Sequence, residues 1–207
     1  MPNAGDAERL ENQVANAVAS RVSAQELIPV LAELLDQAAP GSELAVDMHL
    51  QLAELRVETE PWKAALHAKS VLKDRDDEHA WAVLGLAHSL LKSYKSARRA
   101  YTEALRLAPD CPSYSHNLGH LLDVMFGEPA LAIEHLRRAH RLAPAEPEIA
   151  ASLAHALLRS GYRPEALSTL AAAIDNPVRA EKLLNEWEAA PARPSAAAPL
   201  ALNPEQS

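Results

Sequence analysis

His116 and His120 stand four residues apart and Asp123 follows three residues later, so on a helix all three share one face. Two imidazoles at that spacing can hold one metal ion, as they do in zinc-binding helices. The stretch His116-Asn117-Leu118-Gly119-His120 lacks the glutamate that a metalloprotease uses as general base. Nine histidines spread over helices also generate such a pair by chance. We therefore prefer a polar surface that hydrogen-bonds a ligand, and keep a metal site at His116 and His120, extended by Asp123, as an alternative. Cys111 is the only cysteine, so an intramolecular disulfide or a thiolate zinc cluster is excluded. It precedes Pro112 at a helix start with no base placed beside it in sequence, and reads as a packing residue. Lys92, Lys95, Arg98 and Arg99 form a basic run that reads as a solvated face in preference to a docking patch for an acidic partner.

The elements that carry these residues are helices. Among 207 residues there are 42 Ala and 32 Leu but only 10 Val and 4 Ile, and the first two types suit helices while the last two prefer strands. Six Gly and one Phe leave little material for hairpins. The net charge of −8 divides into −8 over residues 1–60, +3 over 61–145 and −3 over 146–207. A field that weak in the middle, with acidic flanks, argues against nucleic acid as a partner. No window reaches the roughly 18 apolar residues of a membrane span, and the first thirty residues show no apolar run flanked by Lys or Arg. A cytoplasmic location is expected from this and from the cysteine usage.

A period is visible in the chain. Trp81-Ala-Val-Leu84-Gly85-Leu-Ala-His88 is followed by Ala97-x-x-x-Tyr101, Ala104 and Pro109. The marks recur as Leu118-Gly119, Ala132, Leu136, Ala139 and Pro144, and again as Leu153-Ala154, Ala166, Leu170 and Ala173. Leu84 to Leu118 is 34 residues and Leu118 to Leu153 is 35, and the extra residue is expected in the turn Met125–Glu128. A weaker copy lies at Leu52-Ala53, Ala65 and Leu72. The pattern resembles the tetratricopeptide repeat, with His88 where Tyr is usual and Tyr101 for Phe. Small residues at 53, 85, 119 and 154 let the second helix of each pair approach, and Ala65, Ala97, Ala132 and Ala166 present the matching small side chains. Pro61, Pro129, Pro147, Pro164 and Pro177 read as helix starts.

The expected architecture is all-α, a right-handed superhelical solenoid of antiparallel helix pairs. Residues 1–41 are read as two N-terminal helices, a cap or degenerate repeat, with Ser23-x-x-Glu26 as a capping box and Pro29 as a kink. Residues 42–176 hold four repeats at 42–77, 78–111, 112–146 and 147–176. Residues 177–190 form a capping helix, and the Ala/Pro-rich tail 191–207 is expected to be disordered. The plan is broadly similar to that of small bacterial secretion chaperones carrying such repeats.

The resemblance implies that the first helix of each pair lines a concave groove. The groove residues are then His79, Val83 and Leu86 in the second repeat, Ser113, His116, Asn117, His120 and Asp123 in the third, and Ser152, His155 and Arg159 in the fourth. Some members grip a C-terminal carboxylate with Lys, Arg and Asn at these places, and only Asn117 matches, so no such clamp is expected. The function implied is a non-enzymatic scaffold, adaptor or chaperone that holds a peptide or helix of another protein, without a cofactor. Self-assembly, the acidic N-terminal segment of one copy meeting the basic middle of another, is the structural alternative.

Overall fold

The structure is a computed structural model that describes residues 23–189. Among these residues all regular structure is helical: α1 (Ala24–Gln37), α2 (Glu43–Arg56), α3 (Pro61–Asp74), α4 (Glu78–Leu90), α5 (Tyr94–Leu107), α6 (Pro112–Leu121), a π-helical turn (Leu122–Phe126), α7 (Pro129–Leu142), α8 (Pro147–Arg159), α9 (Arg163–Ile174) and α10 (Pro177–Ala189). The all-α reading of the composition holds. A helix expected before α1 and the tail after residue 190 lie outside the described residues.

Local chemistry sets the helix starts. Proline occupies the first turn of α3, α6, α7, α8 and α9 and opens α10, where its missing N–H leaves no helical bond unmade. Asp77 caps α4: one carboxylate oxygen accepts the Ala80 N–H at 2.9 Å and the other pairs with Arg75 at 3.0 Å. Glu26 reaches back to Ser23, accepting its N–H at 3.2 Å and its hydroxyl at 2.8 Å. Pro29 sits inside α1, and the helix runs through it.

The described residues form two compact units, divided between Ala108 and Pro109. Within the first, successive helices from α1 to α5 pack on one another. Its interior is built from Leu27, Leu31, Leu34, Met48 and Leu52 at one end. Toward the other end it becomes alanine-rich, with Ala53, Ala64, Ala65, Ala68, Ala87 and Ala100 around Leu84. Within the second, α6 to α10 do the same, burying Leu118, Leu136, Leu153, Leu157, Leu170 and Leu184.

The small residues of the repeat sit where helices touch. A Cβ on Gly85 would lie 2.7 Å from the Tyr101 ring, and one on Gly119 would lie 2.6 Å from Leu136 Cγ and 3.2 Å from the Ala132 carbonyl oxygen. Neither site has room for a methyl group, because Tyr101 and Leu136 are themselves buried. Arg163 ties down the last helix through Glu181 at 2.7 Å, Asn185 at 2.6 Å and Glu188 at 3.2 Å.

Gly119→Leu is expected to separate α6 from α7 and lower stability by about 1–3 kcal/mol or more. Chemical denaturation tracked by circular dichroism measures this, and an unchanged midpoint would contradict the packing described.

Candidate functional site

Two neighbouring helices of the second unit carry matching polar rows. On α6 and the π turn the row is His116, His120 and Asp123, and on α8 it is Glu148, Ser152, His155 and Arg159. The spacing of three and four residues puts each row on one helix face, and α6 and α8 are in contact.

The rows bond across that contact. His116 Nε2 lies 2.9 Å from the Ser152 hydroxyl, whose other neighbour is His120 Nδ1 at 3.5 Å. One turn further, the Asp123 carboxylate joins His155 Nδ1 at 2.5 Å and Arg159 Nη1 at 2.7 Å. The Arg159 guanidinium also donates to the Asp123 backbone carbonyl at 2.5 Å. Asp123 is 2% exposed, so its charge depends on these two partners. A carboxylate accepts only, hence His155 donates its Nδ1–H to Asp123. The far side of the His155 ring meets Trp187 of α10 edge-on, with centroids 5.5 Å apart.

The extra residue of the 35-residue spacing is taken up at the end of α6. The spacing predicts it in the turn Met125–Glu128, but the turn absorbs only part of it. The helix itself widens into the π turn Leu122–Phe126, which closes at Gly127 in the left-handed region with φ 66°. The N–H groups of Gly127 and Glu128 both reach the Leu122 carbonyl. Asp123, second in the π turn, keeps the register of the preceding helix and lies buried against α8.

Burial sets the protonation of the ladder. It pushes His116 below the ordinary imidazole range, helped by the neighbouring His120 and opposed by Glu148. Desolvation by the surrounding helices also lowers His120, part of whose ring faces solvent, against Asp123 and with His155. Both rings are neutral at neutral pH and offer one donor and one acceptor each.

The structure brings His116, His120 and Ser152 into one cluster and Asp123, His155 and Arg159 into a second, one turn further along. Ser113 is exposed at the start of α6, and Asn117 is half-buried beside His116. His79, Val83 and Leu86 lie on α4 in the other unit. His79 is exposed beside Glu78, whereas Val83 and Leu86 pack on the alanine-rich core. Cys111 is the half-buried residue before α6. Lys92, Lys95 and Arg99 are exposed. Trp187 is a neighbour of His155 that sequence reasoning misses, and no spacing rule would have joined them.

As metal ligands, His116 and His120 fit poorly: His116 Nε2 is engaged by Ser152, and the two ring centroids are 6.0 Å apart. Among the described residues the one cluster of three potential donors within 4.8 Å is Asp77, Glu78 and His79, where Asp77 is committed to its cap and to Arg75. No helix of the described residues is long and apolar enough to cross a membrane.

Residues 79–111 match the tetratricopeptide repeat family. The fold is similar to that of solved MamA structures. A crystal structure of a MamA protein shares 19% identity with a TM-score of 0.67, covering 90% of this chain and 98% of that one. A MamA fragment from Desulfovibrio magneticus RS-1 shares 20% identity with a TM-score of 0.70, covering 82% and 93%. A double mutant of the RS-1 protein shares 18% with a TM-score of 0.70, covering 86% and 95%. No curated protein matches the sequence.

Asp123→Ala is expected to cost about 2–3 kcal/mol, below the usual penalty for a broken buried pair because Arg159, 37% exposed, can turn to solvent. Urea unfolding measures it. In an NMR titration, His116 and His120 should protonate below pH 6.5, the ordinary imidazole value, and midpoints at or above it would contradict their desolvation.

Proposed function

We infer that this tetratricopeptide-repeat protein is a scaffold, adaptor or chaperone that holds a peptide or helix of a partner protein along the faces of its first helices, with no chemistry of its own. The observation that carries this reading is the ladder between α6 and α8. His116 and His120 meet the Ser152 hydroxyl across the two helices, and one turn further buried Asp123 holds His155 and Arg159, so little side-chain freedom remains to be lost on binding. Neutral imidazoles, a hydroxyl and the Asn117 amide suit the amide groups of a peptide, which need both donors and acceptors. The binding residues on this reading are Ser113, His116, Asn117, His120, Ser152, His155 and Arg159, with buried Asp123 holding the last two in place and with His79, Val83 and Leu86 serving the other unit.

A second reading, association between copies, draws on a different surface. Leu90 and Leu91, 47% and 42% exposed, adjoin the exposed Lys92 and Lys95 at the α4–α5 turn. Apolar contact framed by basic groups would suit the acidic N-terminal segment of another copy. Such contacts weaken with salt, since surface charges are screened beyond about 10 Å at 0.1 M.

Affinity capture from native lysate separates the readings, using the intact chain beside a His116→Ala, Asn117→Ala, His120→Ala variant. A partner retained by the first and lost by the second is the expected result. Equal retention would move binding off the ladder, and capture of the chain's own copies alone would favour self-association.

A further inference from the structure

His49 on α2 and His67 on α3 form a second histidine pair, outside the ladder and in the other unit. Their Nδ1 atoms are 2.9 Å apart, the ring centroids 5.2 Å apart and the planes inclined by 45°. The residues are 18 apart in sequence, so the packing of α2 against α3 makes this convergence and no local motif does. Both rings are half-buried, and His49 also lines a cleft of about 490 Å³ together with Ser70, Lys73 and Asp74.

The geometry points to a binding site for a divalent transition ion of imidazole preference, Zn²⁺, Ni²⁺ or Cu²⁺, chelated by Nδ1 of His49 and Nδ1 of His67. Two nitrogens each about 2.0–2.1 Å from one ion lie about 2.9 Å apart at a right angle and about 3.3 Å apart at the tetrahedral angle. The observed separation is within that span before any ring moves. The cleft beside His49 gives the ion access to water for its remaining positions.

The charged groups around the pair set how tightly an ion is held. Asp74 and Lys73 act on His49 with opposite sign. Arg56 and Lys63 act on His67, and both are paired with Glu60, which offsets their repulsion of a cation. Burial is the first cause that lowers both rings, and His67 is pushed down to about 4. At neutral pH no imidazolium proton competes with the ion.

Without an ion, one ring donates Nδ1–H to the Nδ1 lone pair of the other. On binding, that proton leaves Nδ1 and the same ring carries a proton on Nε2 instead. Both Nδ1 lone pairs then face the ion, both rings stay neutral and no net proton is released.

Calorimetric titration of the full-length, tag-free chain with ZnCl₂ at neutral pH tests this. One ion per chain is expected, with a heat that does not change with the ionisation enthalpy of the buffer. His49→Gln and His67→Gln should each weaken binding by more than the roughly 10–100-fold that loss of an outer-shell partner costs. A His116→Gln, His120→Gln variant should bind as the native chain does. Substoichiometric Ni²⁺ monitored by NMR gives a second readout without any substitution: the ring signals of His49 and His67 should broaden first. No binding heat, undiminished binding in both His49→Gln and His67→Gln, or broadening centred on the ladder histidines would overturn the assignment.

Discussion

Everything in this fold depends on how closely two helices of a pair can approach. At Gly85 and Gly119 the second helix lies so near that Tyr101 and Leu136 occupy the space of a missing methyl group. Ala53 and Ala154 hold the corresponding places on α2 and α8, and both are fully buried. Close backbone approach lets short side chains make full van der Waals contact, which is why an interior so rich in alanine still packs. It also limits what each residue contributes, since alanine buries little apolar area. Stability in such an arrangement comes from many neighbouring contacts within each unit instead of a few large side chains.

The π turn is the place where this regularity is given up. One inserted residue widens the end of the helix, where Asp123 lies buried against α8. A buried carboxylate is costly unless its lone pairs are taken, and here His155 and Arg159 take them. The result is a polar seam between two first helices where apolar contact would otherwise serve. Such a seam fixes side-chain orientation more than it adds stability, because the ionic partners must be desolvated. On the proposed function this is its use: the groups meant for a partner are held in place beforehand.

Histidine serves two purposes in the two units, and desolvation governs both. In the ladder, lowered proton affinity keeps His116 and His120 neutral, so that each is donor and acceptor at once. In the α2–α3 pair the same effect permits two rings to share one hydrogen bond at 2.9 Å, a contact that two imidazolium ions would not tolerate. The neighbouring charges differ, acidic Asp123 and Glu148 near the first pair, and Arg56 and Lys63 near His67.

Short-range sequence patterns are enough to establish the helical class, the proline-led helix starts, and the packing role of Gly85, Gly119, Ala97 and Ala132. Each of these is a consequence of a residue's own conformational or steric limits, which act within a turn or between consecutive helices. The spacing of His116, His120 and Asp123 likewise marks one helix face by itself. Which groups those residues meet is decided only by tertiary packing. Asp123 with Arg159, His155 with Trp187 and His49 with His67 are separated by 36, 32 and 18 residues. Their contacts depend on the rotation and depth of whole helices, as does the desolvation that keeps the histidines neutral. A single residue added to a period is visible in a sequence, but whether it loops out or widens the helix depends on the neighbours that receive the displaced side chain.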